Sequence, residues 1–285
     1  MPMPEKQSLM VERSSTSRAE LRRDRRIAVR QKVDRLAHRL RPSGAAELLR
    51  EWATTMDERR QLIDSRRGRD VCWTEAPDDA APLVTIRIAT YNRGRLVVDR
   101  AITSALEQTY KNVEVLVVGD ACDDATAEAV RSVSDPRLRF VNLPRRGLYP
   151  TTPIDLWRVG GVHPMNAALF LARGDWIAPC DDDDELTPTH VEELLAAARK
   201  GRHEMVYSKA VLAQADGTWS TVGHEPLREG GISHGSVLYS AGLRFFSHSA
   251  TCWKLAEPAD WNMWKRMRRA GVRIGFHDRV TYLHY

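Results

Sequence analysis

The rhythm of apolar and polar positions changes near residue 80. Before it, "SRAELRRDRRIAVRQKVDRLAHRLRPSG" sets Ser17 three residues ahead of Glu20, the spacing of a capping box. Val29, Val33, Leu36 and Leu40 then recur at helical spacing, and Pro42 and Gly44 end the run. A second helix is predicted over 45–67. "EAPDDAAP" at 75–82 reads as a linker, which divides the chain into a basic helical extension with its linker (1–80) and a domain over 81–285. Beyond the linker, short apolar runs alternate with helical ones. "LVTIRIAT", "VEVLVVGD", "LRFVNL", "DWIAPCD" and "EMVYSKAVLA" are predicted strands. The segments at 94–108, 124–133, 165–174 and 187–201 are predicted helices. That alternation predicts an α/β fold with a mostly parallel sheet flanked by helices, whose ligands lie beyond the carboxyl ends of the strands.

Composition narrows the picture. The chain has 285 residues, 42% hydrophobic and 28% charged, enough for a sizeable core. Its longest apolar runs are far too short to span a bilayer, and the first residues lack a secretory signal's apolar core. Cys72, Cys122, Cys180 and Cys252 lie far apart with no CxxC pair, so they read as reduced, buried thiols in a cytoplasmic protein. Residues 13–41 hold eleven Arg or Lys against three acids, a balance of +8, so the remainder of this +5 chain carries −3. This basic arm suits an acidic partner such as a membrane surface or a protein, or is a solvated helix face.

The candidate chemistry sits at the predicted strand ends. "TYNR" follows the first strand, Asp120 ends the second, and Asp181 to Asp184 end the fourth. Four adjacent carboxylates in partial burial repel one another. A hard divalent cation with oxygen ligands, or plain exposure to water, would relieve them.

Three blocks in register carry a resemblance. "VTIRIATYNRGRLVVDRAITSALEQTYKNVEVLVVGDACDDAT", "NAALFLARGDWIAPCDDDDELTPTHVEELLAAA" and "ADWNMWKRMRRAGVRIGFHDRVTYLHY" resemble the family 2 glycosyltransferases with the GT-A fold, over roughly 83–285. The resemblance implies an α/β GT-A fold and glycosyl transfer from a nucleotide-diphosphate sugar to an acceptor hydroxyl, with inversion and with Mn²⁺ or Mg²⁺. Thr90, Tyr91 and Asn92 match the turn that holds base and ribose, with Arg93 assisting at phosphate. Asp120 matches the aspartate that bonds the base. Asp181 and Asp183 match the DxD pair, Asp183 holding the metal, with Asp182 a second candidate for the ribose contact. Asp260 matches the general base, and His284 stands where some relatives supply a further metal ligand.

Departures from the pattern accompany these matches. Gly119 replaces the first of a usual pair of aspartates, Ala259 stands where Glu normally precedes the base, and only Asn166 remains of a usual Arg-Asn pair. At its predicted helix start, Asp260 reads either as a base kept ionised by the helix dipole or as a plain N-cap. "TYNRGR" is not the glycine-rich loop of a nucleotidylyltransferase, and Glu185 stands where a haloacid-dehalogenase-type phosphatase has Thr or Val. A catalytically inactive scaffold module and a retaining transferase stay open. No nucleic acid is expected as a partner; the arm offers a peripheral membrane or protein contact.

Overall fold

The computed structural model describes residues 38, 41–67 and 81–285. The helix expected over 17–40, the proposed linker up to residue 80, and Cys72 lie outside the described residues, apart from His38.

Four parallel strands form one side of the sheet: β1 (Val84–Thr90), β2 (Val113–Gly119), β3 (Leu138–Asn142) and β4 (Trp176–Asp181), in the order β3-β2-β1-β4. β1, β2 and β4 are buried along nearly their whole length, as expected where helices cover both faces of a parallel sheet. Beyond β4 the sheet becomes mixed. β8 (Val237–Ser240) pairs antiparallel with β4 and with β6 (Met205–Ala213). β9 (Ile274–His284) lies parallel to β6 and antiparallel to the two-residue β5 (Glu185–Leu186), while β7 (Trp219–Val222) pairs with β6 off this path.

The helices match the predicted periodicity with shifted ends. α1 is Pro42–Arg67, so Pro42 opens this helix in a first-turn position that tolerates its missing N–H. The stretch after β1 is a π-helical turn, Val98–Ile102, running into α2 (Thr103–Leu106). α3 (Thr126–Arg131), α5 (Val162–Leu171) and α6 (His190–Gly201) follow the predictions, whereas α4 (Pro153–Val159) was not foreseen. α7 (Ala259–Ala270) packs Met263, Trp264 and Met267 against Tyr207, Tyr239 and Phe246.

α1 docks on α7 with an unusual face. Its buried positions are mainly Glu47, Glu51, Thr55 and Glu58, with Leu62 alone among large apolar side chains. Glu47 is met by Arg50 of the same helix and by Thr251, and the other acids by cations of α7. Lys265 Nζ donates to Glu51 at 2.6 Å and also to Glu257; Arg266 pairs with Glu58; Arg269 reaches Glu51 at 2.6 Å. At the far end, Arg66 holds Glu204 through two bonds of 2.6 and 2.9 Å.

The described cysteines, Cys122, Cys180 and Cys252, are free and buried. Among the described residues no helix is long and apolar enough to cross a membrane.

Candidate active site

Parallel register brings the three polar strand ends together. Thr90 pairs with Gly119 and Ala89 with Asp181, so the residues after β1, β2 and β4 share one edge. The turns there are strained: Asn92 has φ 51° and Ala121 φ 58°, the left-handed region that non-glycine residues rarely enter. Asn92 is held by a reciprocal pair of bonds with Asp123, its Nδ2 donating at 2.7 Å and its Oδ1 accepting at 3.1 Å. Gly119 has a steric reason to replace the usual aspartate. A Cβ there would lie 2.5 Å from Asn142 Oδ1, and that amide bonds both the N–H and the C=O of Cys122.

Asp120 is almost fully buried and well partnered. Its carboxylate accepts from Tyr149 Oη at 2.7 Å and from the Gly147 amide at 3.2 Å, with Arg146 Nε at 3.7 Å. Arg146 also lies over the Tyr91 ring, 3.6 Å from its centroid. Tyr91, Arg146 and Asp120 thus lie together at the ends of β1 and β2. Burial, then the hydrogen bond to Asp120, pushes the Tyr149 hydroxyl up, so it stays protonated and donating.

The four aspartates after β4 have four different environments. Asp181 Oδ1 accepts from His234 Nδ1 at 2.7 Å; burial opposes its ionisation, but His234, His284 and Arg87 outweigh burial and bring it down to about 2. Asp182 is buried and is pushed up to about 6 by desolvation, which the nearby Thr90 side chain and Arg93 only partly offset. Asp183 is half-buried and is likewise raised by burial, against the pull of Arg93. Arg93 spans both, Nε to Asp182 at 3.1 Å and Nη2 to Asp183 at 2.8 Å. Asp184 turns fully inward, accepting from Tyr282 Oη at 2.6 Å, His284 Nδ1 at 2.7 Å and the Tyr285 amide at 2.9 Å. Arg100, stacked on Tyr285, donates to the Asp183 carbonyl at 2.7 Å and props the loop.

The sequence analysis paired Asp183 with His284 for a metal. Among the described residues Asp181, Asp184 and His284 each offer one ligand atom within 4.8 Å of the others, and Asp183 beside them is ion-paired with Arg93. Because His284 Nδ1 faces Asp184, its Nε2 is the nitrogen left to face a cation. That carboxylate-oriented imidazole is the usual setting of a metal-bound histidine. The hydrogen bond to Asp184, partly opposed by burial, also raises the His284 imidazole above its ordinary value.

Asp260 lies in the first turn of α7, but Pro258 occupies the cap position with no side-chain cap bond. Asp260 Oδ1 accepts from the adjacent Trp261 amide at 2.7 Å, so it is not the N-cap. Burial raises this carboxyl, with the Asp181 charge adding to it, and His234 and the Trp261 amide offset only part of the rise. A carboxylate whose proton affinity is raised by burial suits proton abstraction. His234 hydrogen-bonds Asp181 and lies near enough to Asp260 to influence its carboxyl, and sequence reasoning did not find it, since no periodic element marks the loop before β8. Asn166, the remnant of the Arg-Asn pair, staples the backbone of His248 through two bonds of 2.8 and 2.9 Å.

Comparison with known proteins bears directly on this site. The sequence profile of "Glycosyl transferase family 2" matches residues 85–150 and 157–252. This chain belongs to that family. The break at 151–156 coincides with the unforeseen start of α4, and Asp260 and His284 lie beyond the matched residues. The chain is 36% identical over 140 residues to the succinoglycan biosynthesis protein ExoO of Rhizobium meliloti (strain 1021), covering 49% of this chain and 36% of that protein. It is 30% identical over 138 residues to the putative colanic acid biosynthesis glycosyl transferase WcaA of Escherichia coli (strain K12), covering 47% and 45%. The chain thus spans less than half the length of these two relatives. Among solved structures, S. aureus TarS 1–349 in complex with UDP-GlcNAc matches with a TM-score of 0.54 at 18% identity, over 70% of this chain and 57% of that one. Mannosyltransferase PcManGT from Pyrobaculum calidifontis, in complex with GDP-Man and Mn²⁺, matches with a TM-score of 0.52 at 19% identity, over 83% and 67%. The chain shares their GT-A fold.

Proposed function

We propose that this chain transfers a glycosyl group from a nucleotide-diphosphate sugar to an acceptor hydroxyl, with inversion and with a divalent cation. The observation that carries the reading is the convergence at one sheet edge of the Thr90–Arg93 turn, Asp120 and the acid-rich loop, with the buried Asp260 carboxyl within reach of the Asp181 charge. The ligands bound in the structural relatives, UDP-GlcNAc in one and GDP-Man with Mn²⁺ in the other, support it.

Each residue then has a task. Tyr91 and Asp120 hold the base, with Thr90 and Asn92 shaping the turn that carries them. Asp182 meets the ribose, and Arg93 exchanges its contacts with Asp182 and Asp183 for the diphosphate. Carboxylate oxygens with one imidazole suit Mg²⁺ or Mn²⁺. His284 Nε2 and the carboxylates of Asp181 and Asp183 would hold the ion, with Asp184 orienting the histidine. When bound, the ion offsets negative charge growing on the leaving diphosphate. Asp260 accepts the acceptor's hydroxyl proton as that oxygen bonds the anomeric carbon and the bond from that carbon to the diphosphate breaks.

The reading is tested by incubating the full chain with UDP-, GDP- and dTDP-sugars and following nucleotide release with Mn²⁺ or with EDTA. Release from one donor class, abolished by EDTA and restored by metal, is the expected result. NMR of the product's anomeric proton tests inversion. Failure of every donor to turn over with metal would move the chain to the scaffold reading.

A further inference from the structure

Arg87 is an anomaly in the middle of β1. The surrounding run is apolar, and the side chain is fully buried between strands that pair with it at Leu116 and Pro179. A buried guanidinium is costly unless it is paired, and those costs are usually met by a carboxylate. No carboxylate has a hydrogen bond with Arg87 among the described residues. Its Nη2 instead lies 3.1 Å from His234 Nε2 and 2.9 Å from His248 Nε2. Among the described residues its Nε and Nη1 have no hydrogen-bond partner.

The chemistry of these contacts is directional. A guanidinium has five N–H donors and no acceptor. Both Nε2 atoms must therefore present a lone pair, which puts the ring proton of each histidine on Nδ1. For His234 that Nδ1 is the atom 2.7 Å from Asp181 Oδ1. The tautomer that Arg87 can tolerate is thus the one that donates to Asp181. With Oδ1 so engaged, Oδ2 is the oxygen nearer Tyr282 Oη, at 3.4 Å, on the side of Asp184 and His284.

We propose that Arg87 and His234 form a positioning relay, in which Arg87 sets the His234 tautomer and His234 locks Asp181 with one carboxylate oxygen presented to the donor's cation. This rests on the donor-site reading above. Arg87 and His234 touch neither substrate nor ion; they act through Asp181. Partners of this kind are typically worth about 10- to 100-fold in metal affinity.

The side-chain amides separate the two ring nitrogens. In His234→Asn the amide nitrogen takes the place of Nδ1 and can still donate to Asp181. In His234→Gln it takes the place of Nε2 and cannot. In the full chain, Mn²⁺-dependent nucleoside-diphosphate affinity should stay within about threefold for His234→Asn and fall at least about tenfold for His234→Gln and Arg87→Met. Thermal unfolding of each variant separates this loss from misfolding. Equal affinities for His234→Asn and His234→Gln, in variants that fold, would overturn the relay. Independently, long-range ¹⁵N–¹H spectra of histidine-labelled wild type should show His234 protonated at Nδ1 and bare at Nε2. A proton on Nε2 would overturn the proposal even if every variant failed to fold. Wild type that binds no nucleotide with metal would instead sink the donor-site reading, and the tautomer would still decide whether Arg87 directs His234.

Discussion

Two acidic clusters in this molecule differ in who supplies the counter-charge. Between α1 and α7, Glu51, Glu58 and Glu257 meet Lys265, Arg266 and Arg269 in buried or half-buried ion pairs. Acid and cation balance there within the chain itself, and the product is an interface. At the end of β4, Asp181 to Asp184 face Arg93 in two ion pairs and the Arg87 charge near Asp181, with hydrogen bonds from His234 and His284. The balance falls short, and burial raises Asp182 and Asp183. A cluster the chain neutralises is architecture; a cluster it leaves in deficit is a place for a cation-borne ligand.

The comparison can be broken at several points, starting with the chemistry. Asp260→Asn should lower the rate of transfer by about 10²–10⁴-fold while leaving nucleotide affinity unchanged, read by steady-state kinetics beside calorimetry. A drop in affinity with little change in turnover would make Asp260 a binding residue. In the balanced cluster, Lys265→Met leaves Glu51 and Glu257 buried without their shared lysine and should cost about 3–5 kcal/mol in urea unfolding. Adding Glu51→Gln and Glu257→Gln should recover much of that loss, since the uncompensated charges go with it. If Lys265→Met unfolds like wild type, the α1–α7 ion pairs do not hold the interface.

A smaller effect of opposite sign is expected in the deficit cluster. Folded Asp182 keeps its proton to about pH 6, whereas the unfolded carboxyl releases it near 3.9. The folded state therefore binds more protons between these values, and this group's contribution to stability falls as pH rises through that window. Asp182→Asn removes the loss and should raise the melting temperature by a few degrees at pH 7, with no gain at pH 3.5. It should also weaken donor binding. A variant less stable than wild type at pH 7 would show that the Arg93 pair outweighs desolvation.

How much of this was legible depends on the element. β1, β2 and β4 announce themselves as apolar runs ending in Thr90, Asp120 and Asp181, and parallel pairing then forces those ends together. The mixed half of the sheet was less legible: β8 has only four residues, and β9 carries His277, Asp278 and Arg279 where its register against β6 slips. Four identical aspartates carry no local mark of which turns inward, so Asp184, fully buried under Tyr282 and His284, emerged only from the fold. The buried face of α1 defeats ordinary reading because Glu47, Glu51 and Glu58 are residues normally found in water. Arg87 was visible as the lone charge in an apolar strand, but its partners are 147 and 161 residues away.

The central claim is that the deficit after β4 is filled by a diphosphate carried with a cation. Calorimetric titration of UDP, GDP and dTDP into the full chain, with and without Mn²⁺, tests it most directly, with Asp183→Ala as the control. One nucleotide should bind only with metal, and Asp183→Ala should lose that binding. Binding of no nucleotide, or equal affinity with and without metal in both proteins, would contradict the account.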